Sequence, residues 1–230
     1  MTRRMTARRR DENCPPGTYP ELPERSGGRS QPRTLLYMDA STGDDELRTR
    51  VFGERVIYDN PWVRLVQVEI GPPDGSRFWH HVVRLQRVAL AIVLDDAERV
   101  LMLWRHRFVT DSFGWELPGG IVNAGEDGPA AAARETLEET GWRPTSPMRL
   151  LTGFQPMPGM VDTPHEVYLS RGAEYVGEPT DHEEAARVEW LSLDQIRELV
   201  ARDEMAGSGS LVGLLYLLAL GGSGRQGYGP

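Results

Sequence analysis

The sequence predicts an α+β domain over residues 48–221, and two observations support this fold class. Short apolar segments follow one another between residues 51 and 104, separated by Gly-Pro and Asp-Asp turns, which is typical of strands. Helical signals then appear in three later segments. The 230 residues fit one large domain, because single hydrophobic cores stop growing near about 250 residues.

Two hairpins are predicted in tandem. The segment Trp62–Ile70 alternates apolar and polar residues, and Phe78–Leu85 is its return strand across a Gly-Pro-Pro-Asp-Gly turn. A second hairpin joins Val88–Leu94 to Val100–Trp104. We expect the two hairpins to form a meander on a mixed sheet. Shorter strands are predicted near Leu150, at His165–Leu169 and at Arg187–Trp190.

The first helix has clear ends. Pro129 suits the first helical turn, four alanines follow it, and Gly141 suits a left-handed cap, so the helix is predicted over residues 129–140. The later helices are predicted from a capping box, Ser192-x-x-Gln195, and from an apolar segment, Leu211–Leu220, that the Gly-Ser stretch at 207–210 separates from it.

Composition excludes several functions. A net charge of −8 argues against a nucleic-acid partner, and the longest apolar run is about half the ~20 residues of a membrane helix. With one cysteine and no signal peptide, we expect a cytoplasmic protein without a membrane partner. Arginine-rich residues 1–47 predict a disordered basic tail, and residues 222–230 a flexible C-terminal tail.

Three carboxylates lie on one face of the first helix. Glu135, Glu138 and Glu139 are three and four residues apart, so we expect them to converge. Such like charges are costly without a positive partner, and Arg134 is the only basic residue in the segment. A divalent cation such as Mg²⁺ would turn the repulsion into affinity. The alternative is a solvated acidic helix face.

The glycines and acids around this helix form a 23-residue pattern. Gly120 is followed after five residues by Glu126, and after seven more by the segment Arg134–Trp142. This pattern resembles the signature of the Nudix hydrolases, G-x5-E-x7-R-E-U-x-E-E-x-G-U with U aliphatic. The chain departs from it at Thr136 and Trp142, which are packing positions, so the departures leave the acidic face complete.

The resemblance implies a fold, a reaction and roles for residues. The fold would be an α/β/α sandwich around a mixed sheet, residues 87–221, preceded by an N-terminal antiparallel strand subdomain, residues 48–86. The reaction would be hydrolysis of a nucleoside diphosphate linked to another group, with Mg²⁺ or alternatively Mn²⁺. The implied metal ligands are Glu135, Glu138, Glu139 and the carbonyl of Gly119 or Gly120, with Glu135 and Glu139 central to catalysis, and the implied structural residues are Gly120, Glu126, Arg134 and Gly141.

A later marker narrows the substrate. Pro158 stands sixteen residues after Trp142, which resembles the ADP-ribose pyrophosphatase branch, although an ordinary Pro-Gly turn is the alternative. The branch implies cleavage of ADP-ribose or a nucleotide sugar to a nucleoside monophosphate and a sugar phosphate, by a homodimer joined through the N-terminal strands. The rivals are a Nudix hydrolase of CoA, dinucleotides or damaged nucleotides, and a non-catalytic ADP-ribose sensor.

The branch also suggests further site residues. Its general base would correspond to Glu184 or Glu183, and His165 and His182 are alternatives because histidine titrates near neutral pH. Aromatic stacking on a base could come from Trp62, Phe78, Trp79 or Trp115. The candidate substrate-binding residues are Arg105, Arg107, Trp79, Glu116, Pro158 and Gly159.

Overall fold

The computed structural model describes residues 45–180 and 187–221, which belong to one unit of the chain. Predictions about the two tails and about His182, Glu183 and Glu184 therefore lie outside the described residues, apart from a 3-10 helix at Asp45–Leu47. The strands are β1 (Arg50–Asp59), β2 (Arg64–Gly71), β3 (Phe78–Arg84), β4 (Val88–Leu94), β5 (Val100–Arg107), β6 (Ser112–Glu116), β7 (Gly119–Ile121), β8 (Trp142–Pro144), β9 (Arg149–Phe154), β10 (Val161–Asp162), β11 (His165–Arg171), β12 (Ala173–Tyr175) and β13 (Arg187–Leu191), and the helices are α1 (Gly128–Thr140), α2 (Leu193–Ala201) and α3 (Ser208–Leu220).

The strands form three sheets. The first has the order β1-β2-β3-β10, with antiparallel pairs except for the parallel pair of β3 and β10. The second has the order β13-β5-β4-β11-β9, with β6 beside β5, β7 beside β4, and a parallel pair of β4 and β11. Strands β8 and β12 form the third. The predicted meander is therefore wrong, because the two hairpins belong to different sheets. Strand β10, which comes later in the chain, belongs to the sheet of the N-terminal strands. The predicted boundary between two domains at residue 86 stays a prediction.

Strand β4 sets the layers of the fold, because both of its faces are buried. Ala89, Ala91 and Val93 pack with alanines of α1, whereas the larger residues between and after them pack with α2 and α3. A strand covered on both faces is continuously apolar, as the sequence VALAIVL is. The small residues allow α1 to approach its face closely. The result is the expected sandwich with α1 on one side and α2 and α3 on the other.

An opening between β4 and β5 makes room for a site. The described pairing of β4 with β5 is limited to Leu94 and Val100, beside the turn that joins the two strands. Farther along, β6 lies next to β5 and β7 next to β4. Gly119 and Gly120 are therefore part of a strand that pairs with β4. A Cβ at Gly119 would lie 2.5 Å from the carbonyl oxygen of Ala89, so only glycine fits there.

The helix ends agree with the local signals, with one exception. Asp127 caps α1 by accepting from the amide of Ala130, and Gly141 ends it at φ 74°. The capping box of Ser192 and Gln195 is present at α2. The Gly-Ser stretch at 207–210 was predicted to separate two helices, but α3 already begins at its second residue. No helix within the described ranges is long and apolar enough to cross a membrane.

Candidate active site

Glu139 connects α1 to strands β5 and β7, which lie beside the opening. It lies near the end of α1 with only 5% of its surface exposed. Arg105 on β5 donates from Nη2 to Glu139 Oε1 at 2.8 Å, and the Gly119 amide on β7 donates to Oε2 at 2.8 Å. Arg105 is itself buried. Because a buried carboxylate needs a charged or hydrogen-bonding partner, this pair holds the helix against both strands.

The guanidinium of Arg134 binds the other glutamates of the 23-residue pattern. Its Nε and Nη2 donate to the two oxygens of Glu126 at 2.9 and 3.0 Å. Its Nη1 donates to Glu135 Oε1 at 2.8 Å and to Glu138 Oε2 at 2.9 Å, and Nη2 also reaches the carbonyl of Ile121 at 3.1 Å. The Arg134 hydrogen bond holds the pKa of Glu126 below its ordinary value, and the same carboxylates raise the pKa of Arg134. The guanidinium fork thus links loop, strand and helix.

In this arrangement the three carboxylates are divided between two arginines, and their shared role as metal ligands stays a prediction. Glu135 and Glu138 lie on Arg134, whereas Glu139 faces Arg105. In residues 45–180 and 187–221, no three His, Cys, Asp or Glu side chains are grouped as ligands of one ion. The physical reason is that Arg134, within the helix, and Arg105, distant in sequence, each provide positive charge for part of the acidic face.

The same residues nevertheless match a hard divalent cation in kind. Carboxylate oxygens are the ligands that Mg²⁺ prefers, and Glu135 and Glu139 both lie against the Gly119–Gly120 strand. A Cβ at Gly120 would lie 2.6 Å from the carboxylate of Glu135, so glycine keeps the space where that carboxylate lies. The donor set fits the metal that the sequence pattern implies.

Arg107 and Glu116 form a second ion pair on the β5–β6 hairpin. Arg107 Nη2 donates to Glu116 Oε2 at 2.6 Å, and Nε donates to Oε1 at 3.0 Å. Glu116 is buried, and its Oε2 is also 3.5 Å from Arg105 Nε. Both arginines and Glu116 line a cavity of about 1000 Å³. Three of the predicted substrate-binding residues therefore share one wall.

The other predicted substrate contacts lie elsewhere and do not line this cavity. Trp79 is on β3, where the guanidinium of Arg55 lies 4.7 Å from the centre of its ring. Pro158 is in the turn before β10, and the carbonyl oxygen of Gly159 lies 2.8 Å from His80 Nε2 on the same sheet. The structure therefore places these three residues at the N-terminal sheet. Trp115, a stacking alternative, is buried in the core.

Two more expectations can be located. His165 lines the cavity, and its Nδ1 lies 2.9 Å from the carbonyl oxygen of Thr163. Burial lowers the pKa of the His165 imidazole.

Thr136 and Trp142, where the chain departs from the signature, are packing positions, as expected. The Thr136 hydroxyl is buried and donates to the carbonyl of Ala132, and Trp142 packs edge-on against Trp190.

Sequence reasoning missed the contribution of the C-terminal segment. Ser210 on α3 is buried, and its Oγ accepts from the amide of Leu117 at 2.9 Å. Nearby, the amide of Trp115 donates to Glu204 O and that of Ala206 to Trp115 O. This pairing fixes β6 just before the glycine strand. The Gly-Ser stretch was visible in the sequence, but its interpretation as a separator hid this role.

With the site described, comparisons define the class of protein. A model of the NUDIX domain matches residues 84–209, so the chain belongs to the Nudix family. It is a Nudix pyrophosphohydrolase, and members of this family generally use divalent metal ions. The resemblance seen in the sequence is therefore confirmed.

Two relatives and one solved structure are particularly informative. The chain is 46% identical over 174 residues to the CMP-5'-(N-acetyl-N-hydroxy-3-aminopropyl)phosphonate hydrolase of Streptomyces rubellomurinus, covering 76% of this chain and 84% of that protein. It is 30% identical over 155 residues to an ADP-ribose pyrophosphatase of Mycobacterium tuberculosis, covering 66% and 74%. The crystal structure of ADP compounds hydrolase matches with a TM-score of 0.66 at 15% identity, covering 78% of this chain and 97% of that chain, and this likeness shows the fold alone.

Proposed function

We propose that the protein hydrolyses the phosphoanhydride that joins a nucleoside monophosphate to another phosphorylated group, with ADP-ribose or a nucleotide sugar as the substrate and Mg²⁺ as the metal. The observation that carries the proposal is the position of Glu139, which is buried between Arg105 and Gly119, two residues that line a cavity of about 1000 Å³. A cavity of this size holds a nucleotide-sized ligand. The relative named as an ADP-ribose pyrophosphatase supports the substrate.

Apart from the general base, the residues of the chain would bind and orient the metal and the substrate rather than take part in the reaction. Glu135, Glu138 and Glu139, with the carbonyl of Gly119, would hold the metal, with Mn²⁺ as an alternative ion. A bound cation supplies positive charge to the diphosphate and acidifies a water. Arg134 fixes the acidic helix to its loop, and the lack of a side chain at Gly120 and Gly141 leaves room for the Glu135 carboxylate and the carbonyl of Gly177. Arg107, held by Glu116, adds positive charge to the cavity wall. Glu183 and Glu184 remain candidates for the general base.

A second substrate has a specific observation in its favour. The relative with 46% identity is named for a CMP-linked phosphonate. That substrate class and ADP-ribose share a nucleoside monophosphate joined through an anhydride to a second phosphorus group. All the glutamates of the Nudix signature are present in this chain, which disfavours a non-catalytic sensor. CoA, dinucleotide and damaged-nucleotide hydrolysis remain the rival activities.

A substrate panel tests this function. Purified protein with Mg²⁺ is expected to release AMP from ADP-ribose, or CMP from a CMP-linked phosphonate, with kcat/KM at least tenfold above that for CoA, diadenosine polyphosphates or nucleoside triphosphates, by about 1.4 kcal/mol of discrimination. Separation of the products by chromatography identifies the bond that breaks. Preference for CoA or a triphosphate would contradict the proposal.

We also propose a homodimer joined through the N-terminal strands. Several large apolar residues on these strands are well exposed, including Phe52, Tyr58 and Trp79, and an exposed apolar patch of this kind is typical of an interface. In such a dimer Trp79 and Gly159 would lie at or near the interface, and they could then contact the substrate of the partner. Light scattering is expected to give twice the chain mass. A monomer mass at assay concentration would overturn this proposal.

A further inference from the structure

The cavity extends from the two residues that bind the candidate catalytic carboxylate to an exposed hairpin. Arg105 and Gly119, which bind the two oxygens of Glu139, are both in its wall. Residues 107–110, which begin the hairpin tip between β5 and β6, also line it. The cavity therefore adjoins the residues that bind Glu139, which makes it a candidate for binding one half of a substrate hydrolysed there.

The hairpin tip presents apolar surface at the mouth of this charged cavity. Phe108 and Val109 are 85% and 81% exposed, the highest values among the large apolar side chains of the described ranges. A hydrogen bond from the amide of Thr110 to the carbonyl of Arg107, at 3.2 Å, closes the turn. Asp111, the last residue of the turn, has a φ of 49°. Since Arg107 is held by Glu116, the tip has a fixed base. Exposed apolar side chains at the rim of a pocket are available for contact with a ligand.

We propose that Phe108 stacks on the nucleobase of the substrate, so that this cavity binds the nucleoside monophosphate half. The inference rests on the proposed function. Of the two halves, only the nucleoside offers a flat π face, whereas a sugar phosphate or an aliphatic phosphonate is polar throughout. An aromatic ring is complementary to the former. Arg107, next to Phe108 and partly exposed, provides charge for the attached phosphate.

Phe108→Ala tests the assignment. We expect about a tenfold rise in KM for the nucleotide substrate with kcat little changed, because base–aromatic stacking is lost. Phe108→Trp is expected to restore KM, and Phe108→Leu, which keeps apolar area without a ring, is expected to resemble Phe108→Ala. The exposure of Phe108 makes all three variants compatible with folding, which circular dichroism checks.

Inhibition by fragments identifies the half that is bound. AMP and CMP are expected to inhibit the Phe108→Ala variant about tenfold more weakly than the wild type, whereas ribose 5-phosphate, which lacks a base, inhibits both equally. Phe113→Ala is the matched control, because Phe113 is on the same hairpin but outside the cavity wall, stacked on Trp104. It should leave these constants unchanged.

Several results would overturn the assignment. These are unchanged AMP and CMP inhibition in Phe108→Ala, an equal loss for ribose 5-phosphate, the same loss in Phe113→Ala, or a loss confined to Trp79→Ala, which would place the base at the N-terminal sheet. If the wild type hydrolyses no compound of the panel, the proposed function fails. Calorimetric titration of wild type and Phe108→Ala with AMP then still decides whether Phe108 binds a base.

Discussion

Glu139→Gln is expected to lower kcat/KM by about 100-fold or more while leaving the fold intact. Glutamine keeps the size and can accept from either Arg105 or the Gly119 amide but not from both, and it removes the negative charge that a cation requires. Metal ions contribute several kcal/mol to the stabilisation of a charged transition state, and about 1.4 kcal/mol corresponds to a factor of ten in rate. Steady-state kinetics on the preferred substrate of the panel, with Mg²⁺ varied, measure the effect.

The matched control is Glu198→Gln on α2. Glu198 is an exposed carboxylate that lies 3.4 Å from Arg202 in an i,i+4 pair, so its loss should change neither rate nor stability measurably. Circular dichroism of both variants separates lost chemistry from lost structure. Wild-type kinetics in a folded Glu139→Gln variant would remove Glu139 from the proposed metal ligands.

Arg134→Met is expected to have the second large effect, on both stability and rate. It removes the shared partner of Glu126, Glu135 and Glu138 and leaves three neighbouring carboxylates. Hydrogen bonds to charged groups contribute about 1.5–3 kcal/mol, so we expect a loss of about 2 kcal/mol, or about 4–8 °C in Tm for a chain of this size. Thermal unfolding followed by circular dichroism measures it.

The pH dependence of this loss has a defined sign. The pKa of Glu126 is lowered by the Arg134 hydrogen bond, so its ionisation stabilises the fold fully above the ordinary carboxyl pKa of about 4.3. That contribution is lost as the pH falls through the lower pKa of the folded state. The difference in Tm between wild type and Arg134→Met should therefore be largest above pH ~5 and smaller near pH 3.

Two further variants check the cause. Arg134→Lys keeps the charge but loses the guanidinium fork, so it should recover only part of the stability. Arg197→Met, which removes an exposed i,i+3 partner of Asp194, should leave Tm within about 1 °C of wild type. Equal Tm values for the wild type and Arg134→Met, or a difference that does not shrink in acid, would contradict the role assigned to Arg134.

Helix α1 could be predicted from its own residues. Pro129 and Gly141 mark its ends, and the glutamate spacing identifies the acidic face, because helix periodicity and capping depend on neighbours within a few residues. The unbroken apolar sequence of β4 is consistent with its burial on both faces, which was not predicted from the sequence. The gaps between the charged residues and glycines were sufficient to indicate the Nudix family.

The sequence by itself thus determined the family, the acidic helix and most strands and helices. The tertiary structure alone decided that Glu139 faces Arg105, 34 residues away, and that Gly119 and Gly120 extend along β4. It also decided that the two hairpins enter different sheets. The physical reason is range: capping and periodicity act within a few residues, whereas charge partners and sheet neighbours depend on how distant segments pack together.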